Sequence, residues 1–138
     1  MKKLKTLAAL FLSIAVVDSL YLTVEHFSAI PLFCPNTGVI NCATVLTSRY
    51  SVVLGIPLAV AGLIWSVSML ILFYHGRSRI SSSVAPIWYM FGLAGVAYSL
   101  VSQYLLGHIC IYCTTLDTAI ILFIVTIYAA SRTGRKGD

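Results

Sequence analysis

Two cysteines at a CxxC spacing are the residues of this chain best suited to chemistry. Cys110 and Cys113 stand at the start of a long apolar run. Two thiols at this spacing can close a disulfide or open to a reactive dithiol, and a helix that begins beside them favours the thiolate. Because the run is long enough to enter a bilayer, the pair predicts redox chemistry next to a membrane.

A second pair, Cys34 and Cys42, has seven residues between its members. Three functions are open for the four cysteines: two structural disulfides, a zinc or iron–sulfur site, or a relay in which one pair exchanges with the other by thiolate attack on a disulfide. A CxxC bridge closes too small a ring to restrict the unfolded chain strongly, and the wider spacing is unlike a zinc knuckle. These points favour the relay.

The composition is that of an integral membrane protein. Hydrophobic residues make up 59% of the chain and charged residues 9%, with a mean hydropathy of +0.96. A water-soluble domain has a charged fraction of about a quarter. The basic residues lie at the ends of apolar runs instead of on one polar face, so the net charge of +5 indicates membrane topology and not nucleic-acid binding.

The apolar runs predict an all-α, four-transmembrane-helix bundle that forms one domain over the whole chain. We expect spans over residues 5–24, 53–74, 84–106 and 109–130, and a long loop over residues 25–52 between the first two. Within this loop, turn-forming residues give way to a short helix that starts at Cys42 and runs toward Tyr50, with Asn41 as its N-cap. An acid inside a span normally faces protein or water, so the same is expected of Asp18.

The distribution of positive charge predicts the orientation. Eight of the nine Lys and Arg residues lie at the two termini or between the second and third spans. The positive-inside rule makes that side cytoplasmic. The long loop and the start of the last span then face the extracytoplasmic side, where all four cysteines meet an oxidising compartment.

Several features together resemble vitamin K epoxide reductase and its prokaryotic homologues. These are the loop cysteines, Ser48 six residues after the second of them, the Gly-Ile-Pro sequence that opens the second span, and the CxxC at the outer end of the last span. The resemblance implies a quinone-coupled thiol oxidoreductase without a metal. Its electrons would pass from a separate thioredoxin-like protein to a membrane quinone of the menaquinone or ubiquinone type, which supports disulfide formation.

The resemblance also implies a role for each cysteine. Cys113 would lie nearest the quinone ring, and Cys110 would exchange with the loop. Cys34 would attack Cys110, whereas Cys42 would form the mixed disulfide with the partner. The positions that correspond to the substrate pocket of the family are Leu46, Ser48, Tyr50, Ser51, Leu54, Leu58 and Asp117.

Two of these pocket positions depart from the animal enzymes. Asp117 stands where those enzymes carry a tyrosine, and Ser51 aligns with an asparagine that binds substrate. Asp117 shares a helix face with Cys110 and Cys113 at the i, i+3, i+7 spacing, so it is a candidate to assist proton transfer to a quinone. The departures favour a simple quinone as substrate. The alternatives are an animal-type epoxide reductase and a non-enzymatic bundle whose disulfides are structural.

Overall fold

The structure of the chain, a computed structural model, describes residues 2–28, 33–35, 37–75 and 79–135. Helices account for most of these residues, and two short strands form a hairpin before the second long helix. The elements in chain order are α1 (Lys2–Phe27), α2 (Cys42–Thr47), a 3-10 turn (Arg49–Ser51), β1 (Val52–Val53), β2 (Ile56–Pro57), α3 (Leu58–Tyr74), α4 (Arg79–Leu106) and α5 (Ile111–Arg135).

In the described part of the chain, three helices are long and apolar enough to cross a membrane. The candidate segments are Lys2–Phe27, Ser83–Leu106 and Ile111–Thr133, while Leu58–Tyr74 is also apolar but has only 17 residues. A span of the hydrocarbon core takes about 20 residues when the helix is straight. The prediction of a helical membrane protein is therefore confirmed.

The predicted start of the second span at residue 53 is wrong. Val52 and Val53 pair with Pro57 and Ile56 in an antiparallel hairpin, and α3 begins only after it. The two residues at the tip, Leu54 and Gly55, have φ values of +52° and +83°. Two successive residues with positive φ form the tight turn of a hairpin and cannot continue a helix.

The long helices pack as a bundle in which α1 contacts α3 and α5, and α4 contacts the same two helices. Small and apolar side chains on α1 are fully buried at one-turn intervals, at Ala8, Leu12 and Ala15. Ser19 on α1 and Ser66 on α3 are also fully buried, and their hydroxyls lie 3.2 Å apart in a hydrogen bond. Such interhelical hydrogen bonds replace the hydrophobic driving force that lipid does not supply.

A glycine of α4 lies against a tryptophan ring of α3. A Cβ atom on Gly92 would lie 2.5 Å from Cζ2 of Trp65. The indole N–H of Trp65 donates a 2.8 Å hydrogen bond to the carbonyl of Trp88, and the indole N–H of Trp88 donates to Ser68 at 2.9 Å. These two hydrogen bonds fix the rings, so glycine is the residue that leaves room for the Trp65 ring against α4.

The short helix of the predicted loop is confirmed. It begins at Cys42, and Oδ1 of Asn41 accepts a 3.0 Å hydrogen bond from the N–H of Thr44. It ends at Thr47, earlier than expected, and one 3-10 turn carries the chain past Tyr50. Residues 29–32 and 36 of the predicted loop lie outside the described residues, as do Arg77 and Lys136, which contributed to the predicted orientation.

Candidate functional site

All four cysteines meet in one cluster at the end of the bundle where α1 ends and α5 begins. Cys34 and Cys42 form a disulfide with an S–S distance of 2.05 Å, while Cys110 and Cys113 are free thiols. Cys42 and Cys110 are 1% and 0% exposed and share a buried group with Val45. Cys34 and Cys113 are partly buried and pack against this group. The two pairs are therefore neighbours, as a relay requires.

Backbone hydrogen bonds hold the two pairs together. Ile40 and Ile109 form a parallel bridge, in which the N–H of Asn41 donates to the carbonyl of Ile109 at 3.1 Å. The N–H of Ile109 donates in turn to the carbonyl of Val39 at 2.8 Å. Because each of Asn41 and Ile109 directly precedes a cysteine at a helix start, this bridge sets the position of Cys42 relative to Cys110.

Cys110 stands at the N-terminus of α5, and its sulfur accepts hydrogen bonds there. The N–H of Cys113 donates to Sγ of Cys110 at 3.3 Å. The thiol of Cys113 lowers the pKa of Cys110 most, and the amides of Cys113 and Tyr112 lower it further, against the opposing effect of burial. The N-terminal end of the helix thus favours the Cys110 thiolate, which is the reactive form.

A cavity of about 460 Å³ lies between α3, α4 and α5 and is covered by the α2 segment. Its wall is mainly apolar and includes the aromatic rings of Trp65, Trp88 and Phe91. Cys113 lines this cavity, whereas the fully buried Cys110 lies behind it in the cysteine cluster. The CxxC pair therefore connects the loop disulfide on one side with the cavity on the other.

A buried polar network joins the start of α5 to the cavity wall. Oε1 of Gln103 accepts hydrogen bonds from the N–H of Cys110 at 2.9 Å and from the hydroxyl of Thr114 at 3.3 Å. Nε2 of Gln103 donates to the hydroxyl of Ser99 at 3.4 Å. Ser99 in turn donates to Oδ2 of Asp117 at 2.8 Å. The network links the backbone of the redox pair to a carboxyl group in the cavity.

Sequence reasoning missed Ser99 and Gln103. Both are at most 7% exposed, and they lie one turn apart on α4. Polar side chains inside an apolar span are uncommon and usually face protein, so their i, i+4 spacing was a signal that could have identified this face.

A comparison with known protein families gives one result for almost the whole chain. A family model described as the vitamin K epoxide reductase family matches residues 6–129. The chain belongs to the vitamin K epoxide reductase family. Among curated proteins, none matches it. Membership confirms the resemblance and implies a membrane oxidoreductase, in a family that in general works with quinones and thiol partners.

The family in general uses a quinone, and the cavity has the size and lining of a small-molecule site. Ligand pockets typically enclose about 300–1,000 Å³ within mostly apolar walls that carry a few polar groups. Here the polar groups include the hydroxyls of Ser48, Ser51 and Ser99 and the carboxyl of Asp117. These residues would hold the oxygen atoms of a ring, while the aromatic side chains would contact its faces.

Six of the seven predicted pocket residues line the cavity. They are Leu46, Ser48, Tyr50, Ser51, Leu58 and Asp117. Leu54 does not line the cavity: this residue is 97% exposed at the tip of the hairpin.

Ser48, which directly precedes the 3-10 turn, and Ser51, which ends it, keep their oxygens available as acceptors. Ser48 donates its hydroxyl hydrogen to the carbonyl of Val45 at 2.8 Å, and Ser51 donates to the carbonyl of Ser48 at 2.7 Å. The hydroxyl of Tyr98 on α4 donates to the carbonyl of Tyr50 at 3.1 Å. This contact holds the turn over the cavity from the side of α4.

Acidic residues of α1 lie outside this cavity. Asp18 is half-buried and lines a separate groove with Tyr21, Phe33 and Tyr112. Its Oδ2 atom, like Oε2 of Glu25, is buried and has no hydrogen-bond partner in the described part of the chain. Within that part there is also no group of three or more His, Cys, Asp or Glu side chains that could hold a metal ion.

Proposed function

We propose that this protein is a quinone-dependent thiol oxidoreductase that passes electrons from a separate thioredoxin-like protein to a membrane quinone. The observation that carries the proposal is the position of the CxxC pair. Cys110 is buried together with Cys42 of the loop disulfide, and Cys113 lines an apolar cavity of suitable size. Electrons entering at the loop would pass through neighbouring cysteines to that cavity.

The burial of the loop cysteines supports an order opposite to the one implied by the resemblance. Cys34 is the partly exposed sulfur, whereas Cys42 is 1% exposed and packs with Cys110. A partner thiolate attacks Sγ of Cys34, forms a mixed disulfide and releases Cys42 as a thiolate. The second thiol of the partner then displaces Cys34, so the partner leaves oxidised and the loop pair is reduced.

The second exchange transfers the same two electrons inward. The Cys42 thiolate attacks Cys110 of a closed Cys110–Cys113 disulfide and releases Cys113 as a thiolate. Cys34 then attacks Cys42, which closes the loop disulfide again and releases Cys110. The result is a closed loop pair beside an open CxxC dithiol, the combination found in the structure. When this dithiol closes again to the Cys110–Cys113 disulfide, it would release two electrons and two protons to a bound quinone, one of the protons by way of Asp117.

The polar residues of the cavity have distinct roles in this proposal. Asp117 supplies or holds a proton at a quinone oxygen, and Ser99 orients its carboxyl group through a 2.8 Å hydrogen bond. Ser48 and Ser51 contribute to binding, together with the apolar side chains of Leu46, Tyr50 and Leu58. An aspartate and a serine at the two positions that differ from the animal enzymes favour a simple quinone over vitamin K epoxide.

The proposal includes four membrane spans, with the shorter α3 counted as the second. Lys2, Lys3 and Lys5 lie at the start of α1, and the cysteine cluster lies near its other end. By the positive-inside rule, both termini are cytoplasmic and the cysteines face the extracytoplasmic side. In that oxidising compartment the enzyme supports disulfide formation in exported proteins.

The test is anaerobic reduction of a quinone by the purified protein, followed by absorbance. With dithiothreitol as reductant, Cys110→Ser and Cys113→Ser abolish turnover, whereas Cys34→Ser and Cys42→Ser retain it. With a reduced thioredoxin-like protein, all four variants lose turnover. Thr118→Ser, an exposed change on the same helix, is the matched control.

Full turnover in Cys110→Ser or Cys113→Ser would overturn the proposal. Equal losses in the loop variants with both reductants would contradict the relay while leaving the quinone site intact. An assay with vitamin K epoxide in place of the quinone tests the animal-type alternative directly.

A further inference from the structure

Tyr112, the residue between Ile111 and Cys113 in the CxxC sequence, packs against the cysteine cluster and contacts the segment that carries Cys34. Its hydroxyl donates a 2.8 Å hydrogen bond to the carbonyl of Phe33, which directly precedes Cys34. Its ring packs against Tyr21 of α1 with the centroids 4.9 Å apart. Each loop cysteine is therefore attached to the start of α5 by a different residue.

These two attachments differ in kind. The bridge between Ile40 and Ile109 is made by backbone atoms, and it is followed by the capped helix that begins at Cys42. Among the described residues, the Cys34 end is joined to the start of α5 by the hydroxyl of the Tyr112 side chain instead. Phe33 is 92% exposed, so its own side chain contributes little burial to hold this end in place.

We propose that Tyr112 is a positioning residue that determines which sulfur of the loop disulfide a thiol partner attacks. With its hydroxyl bound to the Phe33 carbonyl, the Cys34 segment lies over the start of α5, with Cys34 partly exposed and Cys42 in the buried cluster. Without this contact, the segment lifts and Cys42 also becomes accessible. The inference rests on the proposed function only in naming the partner.

The contact matters most when the loop disulfide is open. As long as Cys34 and Cys42 are bonded, the disulfide itself ties the two ends of the loop together. After a partner thiolate has attacked Cys34, non-covalent contacts alone hold that end. Tyr112 then keeps the mixed disulfide at the surface while the Cys42 thiolate remains beside Cys110.

The first test compares Tyr112→Phe with Tyr128→Phe. Tyr128 lies near the other end of α5, where its hydroxyl accepts a 2.7 Å hydrogen bond from Arg132, so the control removes a hydroxyl from the same helix. Loss of one net hydrogen bond predicts a fall of about fivefold to tenfold in quinone reduction driven by a thioredoxin-like protein. Reduction driven by dithiothreitol stays within about twofold of the wild-type rate in both variants.

Tyr21 requires a second variant, because its hydroxyl also interacts with the backbone of Phe33 and with the side chain of Tyr112. The double variant Tyr21→Phe/Tyr112→Phe removes both hydroxyls and retains both rings. Its loss with the protein reductant is expected to be at least that of Tyr112→Phe. If the double variant keeps the wild-type rate with that reductant, the positioning role is excluded.

A second test needs no quinone and therefore separates this inference from the proposed function. In a Cys110→Ser/Cys113→Ser background, glutathione attacks the loop disulfide, forms a mixed disulfide with one cysteine and releases the other as a thiol. Peptide mapping after acid quenching is expected to find glutathione on Cys34 with Tyr112 present, and on both Cys34 and Cys42 without its hydroxyl. The same single adduct on Cys34 in both proteins would overturn the inference. If removal of the Tyr112 hydroxyl shifts the mapping as expected but the wild-type protein reduces no quinone, the proposed function alone is overturned.

Discussion

The hydroxyl of Ser99 donates a 2.8 Å hydrogen bond to Oδ2 of Asp117, and both side chains line the cavity that Cys113 also borders. Ser99 is on α4 and Asp117 on α5, so the contact joins two helices across the wall. Both residues are at most 7% exposed. A buried carboxyl held in one orientation beside a redox-active thiol is well placed to deliver a proton.

Asp117→Asn tests this role with almost no change in shape. An amide cannot donate a proton as a carboxylic acid does, so quinone reduction by dithiothreitol is expected to slow by about 100-fold. Ser99→Ala keeps the acid but frees its orientation, and a loss of about tenfold is expected. Ser102→Ala is the control, because Ser102 lines the cavity but donates to the carbonyl of Tyr98. Unchanged turnover in Asp117→Asn would assign the carboxyl a packing role only.

Gln103→Leu removes the acceptor of the Cys110 N–H. A buried N–H without a partner costs about 1–3 kcal/mol, so thermal unfolding in detergent should occur at a lower temperature than in the wild type. Gln103→Glu retains an oxygen at the same position and is expected to recover part of this loss. Equal stability of the leucine variant would mean that another group accepts the Cys110 N–H.

The pH dependence of thiolate formation reports on Cys110. Since hydrogen bonds from Cys113 and the helix N-terminus lower the pKa of Cys110, its thiolate should persist below the ordinary thiol pKa of about 8.5. In the fully reduced protein, thiolate ultraviolet absorbance therefore begins to rise at a lower pH than for a free cysteine. Cys110→Ser should lose this early rise. A first transition that survives in Cys110→Ser would belong to a different cysteine.

Gly92→Ala tests the close contact between α3 and α4. The new methyl group would lie 2.5 Å from the Trp65 ring, which is fixed by its hydrogen bond to Trp88. Overpacking of this kind costs about 1–3 kcal/mol, more than the gain of about 1 kcal/mol in helix propensity. Gly95→Ala, where a Cβ meets nothing within 4 Å, is expected to be neutral or stabilising. Thermal unfolding of the two variants measures the difference, and equal stabilities would show that Trp65 can move.

Several parts of the fold could be predicted because they depend on near neighbours in the chain. The apolar runs that became α1, α4 and α5 are recognisable from composition alone. Asn41 caps the helix that starts at the next residue, and its acceptor role needs only the N–H of Thr44, three positions away. The CxxC pair at the start of a helix is a local pattern of the same kind.

The predicted start of the second span failed because the local sequence of this short segment is compatible with more than one conformation. The apolar residues from Val53 to Pro57 fit the start of a span, but the structure forms a hairpin with Leu54 at its tip. Gly55 is a turn-forming residue, but a leucine with positive φ is uncommon, so Leu54 itself carries no turn signal. Contacts of the hairpin and α2 with the helices select this conformation, and those contacts cannot be derived from the five residues themselves.

The sequence by itself determined the cysteine pairs, the apolar helices and the family resemblance, since residue type and spacing carry these. The tertiary structure alone decided which distant residues meet: Tyr112 with Phe33, 79 positions apart, and Ser99 with Asp117, 18 positions apart. It also decided that Cys42, and not Cys34, is buried with Cys110. Burial and long-range hydrogen bonds depend on how the helices pack against one another, and this packing brings together residues that no local pattern connects.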